Sequence, residues 1–119
     1  MAISHREQVV ETQQQHGAEV NLQNSDGDTA LTLAADRGHE RVVELLIRRG
    51  AEINLQNSDG YTALMYAALF NRPAVVRRLL RAGADAAPTV EGKTALQLAK
   101  EKGNAECVKI LTEAAAAAA

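Results

Sequence analysis

Two kinds of apolar stretch alternate along this chain. Short alanine- and leucine-rich stretches, of which Ala30-Leu31-Thr32-Leu33-Ala34-Ala35 is the clearest, are followed by stripes such as Val42, Val43, Leu45, Leu46 and Ile47. In the first kind, Leu31, Ala34 and Ala35 fall at helical spacing, and the alanines let a neighbouring helix approach closely. The second kind is broad enough to be the buried side of another helix. Polar residues punctuate the pattern. Ser25-Asp26-Gly27-Asp28 is turn chemistry, with Gly27 free to take a positive φ, and Thr29 stands where a helix N-cap is needed. Gly38 separates the two helices. Arg48 and Arg49 suit the negative end of the second helix dipole, and Gly50 can end that helix in the left-handed region. The predicted unit is turn, short helix, tight connection, longer helix and extended return through Asn54-Leu55-Gln56.

The unit recurs. Ser25-Asp26-Gly27-Asp28-Thr29-Ala30-Leu31 returns as Ser58-Asp59-Gly60-Tyr61-Thr62-Ala63-Leu64 and, altered, as Val90-Glu91-Gly92-Lys93-Thr94-Ala95-Leu96, at offsets of 33 and then 32 residues. A period of this length marks a solenoid, in which each unit buries its apolar face only by stacking on its neighbours. The substitutions follow the same physics. Asn71 replaces Gly38 and Gly103, as the residue next best suited to the left-handed region, and Pro73 opens the second helix of its unit. Gly17, Gly50 and Gly83 are each expected to close a second helix.

Composition narrows the chemistry. With 46% hydrophobic but only 3% aromatic residues, Ala, Leu and Val must build the core, which suits thin helices and disfavours a deep ligand pocket. Charge is distributed unevenly: residues 25–57 carry six acids against four arginines, residues 58–89 two acids against four arginines, and residues 90–119 balance. Arg72, Arg77, Arg78 and Arg81 therefore offer either a solvated helix face or, as a minor option, an anion- or nucleic-acid-binding patch. The single cysteine, Cys107, allows no internal disulfide, fits an intracellular compartment, and aligns with Val42 and Val75 as a small buried residue. No run is long or apolar enough to cross a membrane. His5, His16 and His39 fall in different units without ligand spacing to acids or cysteine, so no metal or other cofactor is implied. Asn24-Ser25-Asp26-Gly27-Asp28 lacks the distal glutamate of a calcium loop and reads as a turn.

The sequence Asp-Gly-x-Thr-Ala-Leu-x-x-Ala-Ala, then Gly-His, Val-Val-x-Leu-Leu and Gly-Ala-x-x-Asn, resembles the ankyrin repeat, over about residues 6–113. The resemblance implies an all-α fold: an ankyrin-repeat solenoid of stacked helix-turn-helix units joined by hairpin-like turns. It divides the single domain 1–119 into a partial N-terminal cap (5–24), repeats at 25–57 and 58–89, a C-terminal cap (90–113) and an alanine tail (114–119). Ala114–Ala119 read either as a continuation of the last helix or as appended residues. Thr12-Gln13-Gln14, polar where later units are apolar, read as a solubilising cap. The family's helix-start proline and its inter-repeat histidine are replaced at Thr29-Ala30-Leu31-Thr32 and its counterparts, so Thr32 or Gln97 is expected to supply inter-repeat hydrogen bonds. His39 keeps the Gly-His position and is expected to be structural.

The same resemblance implies a non-catalytic protein-protein interaction module that meets another protein or peptide through its hairpin tips and the concave face of its first helices. The alternative is an engineered or minimal scaffold with no evolved partner. A monomer is expected, or a weak homodimer through the face of residues 29–36. By position, partner contacts fall on Asp26, Asp28, Asp36 and Arg37; on Asp59, Tyr61, Met65, Leu69 and Phe70; and on Lys93 and Lys102. The middle group is set apart by chemistry. Leu69 and Phe70 align with Asp36-Arg37 and Glu101-Lys102, and Tyr61 with Asp28 and Lys93, so apolar side chains stand where both neighbours carry charge. An apolar cluster rimmed by charge has the form of a binding hot spot, and truncating Leu69 and Phe70 is expected to weaken binding without loss of stability. Tyr66 is expected in the core with its hydroxyl at an edge. Asn54, within Glu52-Ile53-Asn54-Leu55, resembles a site modified by asparaginyl hydroxylases, or else hydrogen-bonds across the turn between units.

Overall fold

Each predicted helix pair forms, and each does so for a local reason. The computed structural model describes residues 17–118. After a short 3-10 turn at Gly17–Asn21 come α1 (Ala30–Arg37), α2 (Glu40–Arg48), α3 (Ala63–Leu69), α4 (Pro73–Arg81), α5 (Ala95–Lys102) and α6 (Ala105–Ala118). Thr29, Thr62 and Thr94 cap the first helices, their hydroxyls accepting from the backbone N–H three residues on. In α1 and α5 the cap is reciprocal, because Thr32 and Gln97 return a bond to the N-cap backbone. The second helices α2 and α4 end alike. Gly50 and Gly83 adopt φ values of 88° and 95°. Their N–H groups bond Ile47 and Leu80, and the next N–H groups reach Leu46 and Leu79, satisfying the last carbonyls.

The pairs stack into a body of 45 × 25 × 24 Å. α1, α3 and α5 pack in one row, and α2, α4 and α6 in a second. The core runs between the rows as one continuous cluster, from Val20 and Leu31 through Leu64, Met65 and Leu79 to Cys107 and Leu111. Ala34, Ala35, Ala67, Ala68 and Ala99 are all buried, as the close approach of first helices requires. α6 continues into the alanines as far as Ala118. The polar N-terminal unit, with His5, His16 and Thr12 to Gln14, lies outside the described residues, together with the expected helix closed by Gly17.

The change of period from 33 to 32 has a structural cause. The first two tips are closed by three-residue loops, Ser25-Asp26-Gly27 and Ser58-Asp59-Gly60, with Asn24 bonding Asp28 and Asn57 bonding Tyr61 through the backbone. The third is a two-residue hairpin in which Val90 and Lys93 exchange both bonds across Glu91-Gly92. Both central residues have positive φ, 53° and 77°, the geometry that matches the twist of a hairpin.

Inter-repeat hydrogen bonds do not come from Thr32 or Gln97, which cap their own helices. Other side chains supply them. Asn57 donates to Asp28 at 3.0 Å, Arg72 Nε to the Asp36 carbonyl at 3.0 Å, and Asn104 to the carbonyls of Ala68 and Leu69 at 2.8 and 3.2 Å. Asn54 accepts from the Asp85 backbone at 2.8 Å, as Asn21 does from Glu52 at 2.7 Å, which is the cross-turn role. Arg72 and Asn104 hold the position equivalent to His39, whose own preceding first helix would fall outside the described residues.

Candidate aromatic docking face

The face made by the first helices and the tips carries a feature that composition alone conceals. The chain has two tyrosines, one phenylalanine and no tryptophan, and all three rings stack together. Tyr61 and Tyr66 lie 5.1 Å apart at an interplanar angle of 8°, and Tyr66 and Phe70 lie 6.0 Å apart at 18°. These are offset-stacking distances, which suit the ring quadrupoles. The cause is local. With Thr62 as N-cap, Tyr61 and Tyr66 occupy the positions that form a hydrophobic staple at a helix start, and Phe70 follows Tyr66 by four residues on the same side of α3.

Beneath the ladder lies a saturated polar knot. Asn57, almost buried, accepts from the N–H groups of Asp59 and Tyr61 and donates to Asp28 and to the Tyr66 hydroxyl at 2.7 Å. The Tyr66 hydroxyl is pushed above its ordinary value of 10.0, first by burial and then by the field of Asp28, with smaller contributions from Asp36 and Asp59.

The expected contact residues divide into three groups. Phe70 is 45% exposed, and Tyr61 and Leu69 are half-buried. Together they line a groove of about 280 Å³ whose other walls are Val90, Glu91, Lys93, Leu98, Glu101 and Lys102. Lys93 is held by Glu101 at 2.9 Å, its pKa raised first by that hydrogen bond. Asp26, Arg37, Asp59 and Lys102 are exposed, and Asp36 is half-buried. Asp28 is engaged by Asn57 and, at 3.4 Å, by the Thr32 hydroxyl. Met65 requires correction as a contact: at 1% exposure it is a core residue, because the third position of α3 points between the helix rows. Leu69 packs against the core, so its truncation cannot leave stability untouched. Tyr66, the centre of the ladder, was missing from the expected contacts. Its signal was the staple spacing to Tyr61.

The other clusters have structural uses. Three of the four arginines are engaged: Arg72 as above, Arg77 with Glu106 at 2.6 Å, and Arg78 with Glu40 and Glu44 at 3.0 and 2.8 Å. Cys107 is fully buried, and burial pushes its thiol upward, which keeps it protonated. Among the described residues no group of three metal-ligating side chains converges, and no helix is long and apolar enough to cross a membrane.

Stacked helix pairs with tips on one edge define a class of repeat solenoids, and the family comparison specifies which. A model described as "Ankyrin repeats (3 copies)" matches residues 1–89, and one described as "Ankyrin repeat" matches residues 91–118. The chain belongs to the ankyrin repeat family. Ankyrin repeats are generally protein-protein interaction modules and typically non-catalytic. No curated protein matches the chain.

Proposed function

We propose that this chain is a protein-recognition module that docks a partner protein or peptide on its first-helix face. One observation carries the reading: every tyrosine and phenylalanine ring of the chain stands in one stack on the middle repeat, beside a groove, and the two outer rings, Tyr61 and Phe70, hold positions that are charged in the repeats on either side. Phe70, Tyr61 and Leu69 are the anchors, with Tyr66 holding the ladder in register. Asp26, Asp28, Asp36, Arg37, Asp59, Lys93 and Lys102 form the polar rim that selects among partners. Stacking fixes these side chains before binding, which limits the ordering entropy lost on association. The lone buried thiol suits an intracellular setting.

Photo-cross-linking tests the reading. A cross-linker at position 70 should capture a specific partner, and one at Val42, an exposed apolar residue on α2, should not. Phe70→Ala should weaken that binding by about 2 kcal/mol. Equal capture from both positions would place recognition elsewhere.

A further inference from the structure

The two sides of the aromatic ladder differ in charge. On the third-repeat side the Lys93 ammonium and the Glu101 carboxylate satisfy each other at 2.9 Å. On the first-repeat side stand Asp28 at the first tip and Asp36 on α1, while Asp59 lies on the middle repeat's own tip, two residues before Tyr61. Asp28 is already bonded, but Asp36 and Asp59 have no ion-pair partner among the described residues, and the nearby Arg37 pairs with neither. Further along the tips, Asp26 and Glu91 are also exposed. A ring face beside unpaired carboxylates is the environment in which a guanidinium or ammonium gains both a cation-π contact and an ion pair.

We propose that the groove takes an extended cationic segment of another polypeptide, with an arginine or lysine laid across the ladder against Asp36 and Asp59 and an apolar side chain entering between Phe70 and Leu98. This rests on the protein-recognition reading and names the chemistry of the partner. Charge complementarity selects the occupant. An acidic segment would bring like charge to Asp36 and Asp59 and could pair only with Arg37 and Lys102, since Lys93 is already paired. A nucleic-acid backbone would be repelled along Asp26, Asp59 and Glu91. Geometry sets the spacing. Neighbouring packed helices lie about 8–10 Å apart, and a polyproline-type segment returns to the same side after three residues at about 3.1 Å each. The cation and the apolar anchor should therefore be three positions apart in the partner.

The test is an amide chemical-shift titration of the full chain with capped Gly/Ser/Pro peptides. One peptide carries Arg and Phe three positions apart, a second has Glu for Arg, and a third has Ala for Phe. The Arg–Phe peptide should shift the amides of Leu69, Phe70 and Glu101. It should bind about tenfold more tightly than the Glu–Phe peptide, a ratio that falls as salt is added. In Asp36→Asn/Asp59→Asn the ratio should approach one while Phe-dependent binding persists. If that variant fails to fold, the salt dependence of the unaltered chain decides instead. Equal or tighter binding of the Glu–Phe peptide overturns the cationic assignment and leaves the docking face standing. No response to any peptide, with cross-linking from position 70 still specific, also overturns it. Loss of both responses removes the recognition reading as well.

Discussion

At the first tip, Gly27 has a φ of 79°, and an added Cβ would lie 2.6 Å from the Ser58 backbone nitrogen. That nitrogen donates to the Asp26 carbonyl, so the glycine is where two repeats touch backbone to backbone. At Gly60 the φ is 90°, but the nearest atom is a Val90 methyl at 3.6 Å. Gly27→Ala should therefore cost about 2–3 kcal/mol, combining backbone strain with a clash. Gly60→Ala should cost about 1 kcal/mol from strain alone. Chemical denaturation of both variants checks the difference. Glu91 presents the opposite case, a non-glycine residue held at a φ of 53°. Glu91→Asn creates the Asn-Gly pair that such a hairpin prefers and should stabilise by about 0.5–1 kcal/mol, read as a higher melting temperature. Tyr66 supplies a pH test. Its raised pKa means that the folded state favours the protonated phenol. The associated stability is thus fully present below the ordinary value of 10.0 and is lost as pH rises through the higher folded value. Tyr66→Phe should remove that alkaline loss, and tyrosinate absorbance should show Tyr66 ionising late. What the sequence disclosed at this scale was whatever a residue does alone. The threonine caps, Pro73 and the helix-ending glycines were legible. Asn57 was not, since its four bonds join Asp28, Tyr66 and its own turn across a repeat boundary.

Between elements, the uneven charge inventory becomes a stacking device. The excess acids of the first repeat and the excess arginines of the second meet as Arg78 bridging Glu40 and Glu44, and Arg77 reaches forward to Glu106. The arginine cluster suggested a binding patch only because sequence records charge without its cross-repeat partner. Pairs this exposed contribute little, because solvent screens them. Arg78→Ala should lower stability only slightly, and a double-mutant cycle with Glu44→Ala should show a small coupling that fades in high salt. The helix α3 separates packing from recognition within two residues. Leu69→Ala should cost stability because Leu69 leans on the core, whereas Phe70→Ala should change it little, and thermal melts will order them. Sequence alignment marked both as exceptions to a charged pattern, but only packing reveals that one faces inward.

Across the whole molecule, the middle repeat is covered on both sides, and Ala63, Leu64, Met65, Val75, Val76 and Leu79 are all at most 1% exposed. A solenoid's stability is the sum of its units and their interfaces, so the unit with two interfaces should open last. Hydrogen exchange should find the slowest amides in α3 and α4. Slowest exchange in α6 instead would mean that the long terminal helix, rather than stacking, dominates. The architecture was readable from the period because every unit restates it. The docking face was half readable, since the exceptional positions stood out against their neighbours while the ladder joining them exists only once Tyr66 folds beneath.

That concentration of rings has a practical corollary for spectroscopy. With no tryptophan and no other tyrosine or phenylalanine in the chain, near-ultraviolet dichroism and intrinsic fluorescence report on a single patch. A label-free optical signal therefore comes from the very spot where a visiting polypeptide would settle.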